Sequence, residues 1–280
     1  MEAVTHHGRV RLRLVAAVLA AVTMTAAGAA AQASDTVMLR GHAQTVHLYG
    51  RRGAPPVIVS SGDGGWMHLG PEVADLLAAR GYFVVGFDVK AYLASFTSDV
   101  ATLRPEDEPA DYKVLAEYAS RGTSQKPILI GVSEGAGLSV LAAADPDTRG
   151  LIAGVIALGL PNVNELGWRW RDSVIYLTHG VPHEPTFSAA AFIERVSPAP
   201  LAAIQSTRDE FVPLPEARSV LDAAKDPKRL WVVKASDHRF SDNRPEFEAR
   251  LFEAIAWVQA NRAGSRSWPC PRPSAARSRP

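Results

Sequence analysis

Short apolar runs that alternate with amphipathic stretches constrain this chain more than any other feature. Val57-Ile58-Val59, Tyr82 to Phe87, Ile128-Leu129-Ile130, Leu151 to Leu158, Leu201 to Ile204 and Leu230 to Val233 are continuous and bounded by turn residues. A strand wet on one face alternates polar and apolar residues; an unbroken run implies burial on both faces, as in a parallel sheet. Helical patterns separate the runs. Residues 71–80 begin with a proline suited to a first helical turn and stop at Gly81, and residues 111–121 stop at Gly122. Residues 134–144 are rich in small side chains and stop before Pro146, and residues 245–261 place Phe247, Leu251, Ile255 and Val258 on one face. Residues 36–49 read as two alternating strands that open the domain as a hairpin. The rhythm predicts an α/β chain with a mostly parallel, doubly wound sheet and helices on both faces. Residues 161–200 interrupt it, with Trp168, Trp170, Phe187 and Phe192 but no clear strand. That segment is either a lid over a pocket or a long structural connection.

Both ends differ from the middle. Residues 1–33 have the pattern of a signal peptide: Arg9, Arg11 and Arg13 precede an uncharged alanine-rich run from Leu14 to Ala31, and Ala31-Gln32-Ala33 is a small-x-small cleavage site. Cleavage predicts a mature chain from Ser34 in the periplasm or outside the cell; a retained anchor is the alternative. Residues 262–280 hold five arginines and no acid, with several Pro and Ser, a composition that cannot bury a core and is expected to be disordered. The formal charge is +1 for the whole chain, +2 for residues 1–33 and +5 for 262–280, so residues 34–261 carry −6. An acidic body excludes a nucleic-acid partner, which needs a basic face. The basic tail suits a peripheral contact with an anionic membrane. Cys270 is the only cysteine, so packing rather than disulfides must stabilise the domain at 34–261. Oligomeric state is not written in the sequence.

The chemistry gathers where the strands end, which is where open α/β sheets bind ligands. After Ile130 the chain reads Gly131-Val132-Ser133-Glu134-Gly135. A Gly-x-Ser-x-Gly between a buried strand and a helix puts the serine on a tight turn with its hydroxyl above the sheet. A helix-capping serine in an ordinary turn is the plainer reading. A serine hydroxyl needs a base, and around such an elbow the acid and then the histidine follow in chain order. Asp209 lies just past the strand ending near Ser206, and His238 just past the strand ending near Lys234. Asp209 is therefore the expected orienter and His238 the expected base. Glu210 and Asp88 are rival orienters, and Asp237 is expected to fix the loop. The glycine-rich segment Ser60-Ser61-Gly62-Asp63-Gly64-Gly65-Trp66 follows another strand, so the backbone amides of Asp63 and Glu134 are the expected oxyanion donors. That segment lacks the Lys-Ser/Thr ending of a phosphate loop and the Gly-x-Gly-x-x-Gly pattern, which discounts nucleotide binding. His179 and His183 are four apart, but Pro182 and Pro185 prevent a helix there, and no Cys-His spacing supports zinc. No metal and no cofactor is expected. Trp66, Trp168, Trp170 and Trp231 are expected to pack, with Trp168 and Trp170 available to line a mouth.

These residues resemble the α/β-hydrolase superfamily across most of 57–261. Within it, Ser61-Gly62-Asp63-Gly64-Gly65-Trp66, a helix and a strand ending at Asp88 resemble the VirJ/AcvB group of bacterial virulence proteins. The resemblance implies an exported enzyme that hydrolyses the aminoacyl ester of lysyl-phosphatidylglycerol. Where that group usually shows Tyr-Ser-Phe-Gly-Ala-Asp, this chain has Val132-Ser133-Glu134-Gly135-Ala136-Gly137, a departure that bears on the substrate more than on the chemistry. The expectation is an exported serine hydrolase acting on a small-molecule or lipid carboxylic ester. An acyltransferase on the same three residues and a non-catalytic lipid- or peptide-binding module are the alternatives.

Overall fold

The computed structural model describes residues 33–169 and 184–262. Residues 1–32 of the proposed leader, residues 263–280 of the tail with Cys270, and Trp170, His179 and His183 lie outside them. One eight-stranded sheet runs through the described residues. It contains β1 (Ala33–Leu39), β2 (His42–Tyr49), β3 (Pro56–Ser60), β4 (Phe83–Phe87), β5 (Ile128–Val132), β6 (Gly154–Leu158), β9 (Leu201–Ser206) and β10 (Lys228–Val233), in the order β1-β2-β4-β3-β5-β6-β9-β10. β1 and β2 form the expected hairpin around Arg40-Gly41, β2 joins β4 antiparallel, and every later pairing in this sheet is parallel. Hairpin residues alternate between buried and exposed, whereas β3, β4, β5, β6 and β9 are buried at every position.

Successive strand residues point to opposite faces, and the core divides accordingly. Ile58, Val85, Leu129, Val155 and Ala203 pack on one face; Val59, Val84, Ile130, Ile156 and Ile204 pack on the other. Helices α3 (Glu108–Ala119), α4 (Glu134–Ala144) and α6 (Leu214–Asp222) cover the first face. Helices α1 (Leu69–Ala79) and α7 (Arg244–Asn261) cover the second. α7 buries Phe247, Leu251, Ala254, Ile255 and Val258, its predicted stripe, at roughly 1.5–3 kcal/mol for each large side chain.

Two expectations are corrected. The apolar run from Leu151 to Leu158 is not all strand: its first residue closes α5 (Pro146–Leu151), and β6 starts at Gly154. Asp145 caps α5, accepting the amides of Asp147 and Thr148, and Pro146 opens its first turn. The segment 161–200 is not strandless either, since β7 (Val163–Glu165) and β8 (Thr186–Ser188) pair antiparallel. Three α-helices had no sequence expectation: α5, α6 and α2 (Val89–Phe96), the last capped by the Asp88 carboxylate on Ala91 N.

Candidate active site

Ser133 stands between β5 and α4 with φ 51° and ψ −116°, a left-handed conformation that a residue with a Cβ adopts only under constraint. The two motif glycines supply it. A Cβ on Gly131 would overlap the backbone of Gly135 and Ala136, and a Cβ on Gly135 would overlap the carbonyls of Ser60 and Ser61. Without those side chains α4 crosses close over β5 and β3, and the serine is pushed up at the turn. The Ser133 amide donates to Leu158 O at 2.8 Å, anchoring the elbow to β6.

Asp209 and His238 meet because β9 and β10 are adjacent, with Ser206 opposite Val233. The loops leaving them are laced together. Arg208 N donates to Ala235 O, and the hydroxyls of Ser206 and Thr207 both donate to the same carbonyl at 2.9 Å. His238 Nδ1 lies 2.7 Å from Asp209 Oδ2. A carboxylate only accepts, so Nδ1 carries a proton, and in the neutral ring the lone pair is on Nε2. His238 is 8% exposed, and among the described residues its buried Nε2 has no hydrogen-bond partner. β10 is three strands from β5 in the sheet order, and the ring spans part of that gap by lying over the end of β6. There Gly159, at φ +64°, has no side chain to block it.

Ser133 and His238 line one cavity of about 460 Å³, together with Gly62, Asp63 and Glu134. Among the described residues no acceptor takes the amide of Asp63 or of Glu134. The structure thus brings Asp209 and His238 into contact and sets Ser133 in the same cavity, but no hydrogen bond joins Ser133 to Nε2. Bonds of that kind commonly tighten only when substrate is bound.

The rivals have other partners. Glu210 accepts the backbone amide of His238 at 2.8 Å, leaving the ring to Asp209. Asp88 serves as the α2 cap. Asp237 accepts the amides of Arg239 and Ser241 and so fixes the loop as expected. Trp66 packs between His47 and Gly86, and Trp231 packs on Trp257. Trp168 lines the cavity, with the Lys90 ammonium 4.4 Å from its ring centre. Among the described residues no cluster of His, Cys, Asp or Glu could hold a metal ion, and no helix is long and apolar enough to cross a membrane. A second cavity of about 490 Å³ lies at the opposite ends of the strands and contains none of these residues.

The family model of the bacterial virulence protein VirJ matches residues 56–165. Solved structures match over most of the chain. The α/β hydrolase GrgF from Penicillium is 13% identical, covering 83% of this chain and 99% of its own, with a TM-score of 0.61. The CarC serine hydrolase involved in carbazole degradation is 16% identical, covering 81% and 100%, with a TM-score of 0.59. A membrane phospholipase A described as a bacterial virulence factor is 14% identical, covering 89% and 93%, with a TM-score of 0.57. No curated protein matches the sequence. The chain has the α/β-hydrolase fold and resembles VirJ.

The VirJ match spans β3 to β7, so it includes the glycine-rich turn after β3 and the elbow but not Asp209 or His238. Two features of this α/β-hydrolase-fold site were not anticipated. Glu134 turns its side chain inward, where Oε1 accepts Glu165 N at 2.6 Å and ties the elbow to β7. Burial pushes the Glu134 carboxyl well above the usual range, and the nearby charges of Glu165 and Asp63 add to this. The residue after Ser133 is thus driven toward its neutral form beside the two expected oxyanion donors. The second feature is Gln205, whose Nε2 lies 2.8 Å from Asp209 Oδ2. Its signal in the sequence, a lone amide inside a buried apolar strand, is easily passed over.

Proposed function

We propose that the protein is an exported serine hydrolase that cleaves a carboxylic ester through an acyl-enzyme. The observation that carries this reading is the Asp209–His238 pair lying over Gly159 in the cavity that also holds Ser133 at its strained elbow. In the proposed reaction His238 Nε2 takes the hydroxyl proton while Ser133 Oγ bonds to the acyl carbon. The amides of Asp63 and Glu134 donate to the oxyanion that forms. His238 then returns the proton to the departing alcohol oxygen as the carbonyl re-forms. A water molecule, deprotonated by the same nitrogen, releases the acid and restores the serine. Asp209 holds the ring and stabilises its transient positive charge. The resemblance to VirJ extends the reading to an aminoacyl-phospholipid ester of the lysyl-phosphatidylglycerol type.

A fluorophosphonate probe tests the chemistry without knowledge of the substrate, because only an activated serine is labelled. The expected result is rapid labelling and turnover of a p-nitrophenyl ester by the wild-type chain. Ser133→Ala is expected to show neither while keeping the wild-type thermal transition. Equal labelling of wild type and Ser133→Ala would overturn the reading.

A further inference from the structure

Asp209 can hold an imidazole in one orientation only if its own carboxylate is held. Each of its oxygens accepts two hydrogen bonds. Oδ1 accepts the amides of Phe211 at 3.0 Å and Val212 at 2.8 Å. Oδ2 accepts His238 Nδ1 at 2.7 Å and Gln205 Nε2 at 2.8 Å. The two loop amides fix one edge of the carboxylate; the side chain that shares Oδ2 with the imidazole fixes the other. Gln205 is 1% exposed and sits near the end of β9, opposite Val232 of β10. Its amide nitrogen also donates to Val212 O at 2.7 Å. Both of these partners can only accept, so the NH₂ end must face them. A glutamic acid there carries a single O–H and could donate to only one of the two, and an apolar residue would leave Asp209 Oδ2 with the imidazole alone and take the side-chain donor from Val212 O.

We propose that Gln205 is a positioning residue for the hydrolytic reaction, locking the Asp209 carboxylate so that His238 presents Nε2 to the cavity. The inference rests on the serine-hydrolase reading above. The second N–H, given to Val212 O, clamps the far end of the 207–213 loop to the strand that launches it. One amide therefore sets both the rotamer of the orienting acid and the loop that carries it.

The test is a double-mutant cycle on the full chain, with turnover of a p-nitrophenyl ester and the rate of fluorophosphonate labelling as readouts. Gln205→Leu is expected to lower kcat and the labelling rate by about ten- to a hundredfold, the range for losing a hydrogen bond to a charged group. KM should stay within about twofold. Gln205→Asn keeps an amide but withdraws it by one methylene; it is expected to show the same loss with less disturbance to packing. In an Asp209→Ala background neither substitution should lower turnover further, because both hydrogen bonds of Gln205 serve the reaction by placing that carboxylate. The downfield His238 Nδ1–H resonance of the wild type should broaden or move in both single variants. Wild-type kcat in both single variants, with Ser133→Ala inactive, would overturn this inference and leave the hydrolase reading intact. Full additivity with Asp209→Ala would also overturn it, by showing that the amide supports the fold alone. Undiminished activity in Ser133→Ala would instead remove the reading beneath it.

Discussion

Gly159 leaves no room for a side chain under the base. A Cβ there would overlap the imidazole of His238 at Cε1 and Nδ1, and the backbone sits at φ +64°, where L side chains are strained. Gly159→Ala is therefore expected to push the ring away from the Ser133 elbow. Turnover of an activated ester should fall at least a hundredfold, while the stability cost stays at about 1–3 kcal/mol for one strained residue. Kinetics paired with urea unfolding check this, and a variant that loses stability but keeps kcat would contradict it. Ser133, Asp209 and His238 were legible in the sequence because each follows a continuous apolar run by three to five residues, at a place where sheets of this kind expose chemistry. Gly159 and Gln205 were not. One looks like any glycine that ends a strand, and the other is a polar residue inside a strand, so what each does depends on which loop the fold brings over it.

At the scale of elements, strand and helix positions were readable wherever one side of an element meets a large core. α7 is the clearest case: its four apolar positions, read at helical spacing, are all buried against β6, β9 and β10. Leu251 is fully buried in that interface. Leu251→Ala is expected to cost about 2–5 kcal/mol. The rate of fluorophosphonate labelling per folded molecule should not change, because α7 covers the sheet face away from α4 and the elbow. Chemical denaturation and labelling of the same sample separate the two quantities. The elements that escaped the sequence reading are α2, α5, α6, β7 and β8, each of nine residues or fewer. α5 fills six residues between a capping Asp145 and Ile152, and the apolar run that follows hides its end. β7 and β8 have three residues each and exist by pairing with one another, with Glu165 N also held by Glu134. Periodicity needs more turns or more alternations than these segments have.

Across the whole molecule, two groups of carboxyls pull stability in opposite directions as pH changes. Asp35, Asp107, Asp242, Glu194 and Glu253 are held below the usual carboxylate range, chiefly by side-chain hydrogen bonds from Tyr118, Arg104, Ser236, Lys225 and Arg250 respectively. Their stabilisation is present above the ordinary carboxylate titration and is lost as pH falls through the lowered values. Because they lie near solvent, each contributes little. Glu108 and Glu134 act the other way. Glu108 is wholly buried at the start of α3, and among the described residues neither of its carboxyl oxygens has a hydrogen-bond partner. Burial pushes its titration well up, the charges of Asp111 and Asp145 push it further, and Arg40 offsets this in part. The folded chain thus keeps protons that the unfolded chain releases near the ordinary value of 4.5. Stability from this source is complete below that value and declines as pH climbs through the folded-state titrations. For these carboxyls the two slopes oppose each other, so their combined stabilisation is expected to be greatest on the acid side of neutrality. Glu108→Gln removes the proton-dependent part at one position, so its thermal transition should change less between about pH 5 and 8 than that of the wild type. Glu108→Leu, which also removes the unpartnered oxygens, should raise stability at neutral pH by about 1–3 kcal/mol. Thermal melts of both variants across that range decide the matter, and a wild-type slope in Glu108→Gln would show that the buried carboxyl does not govern it.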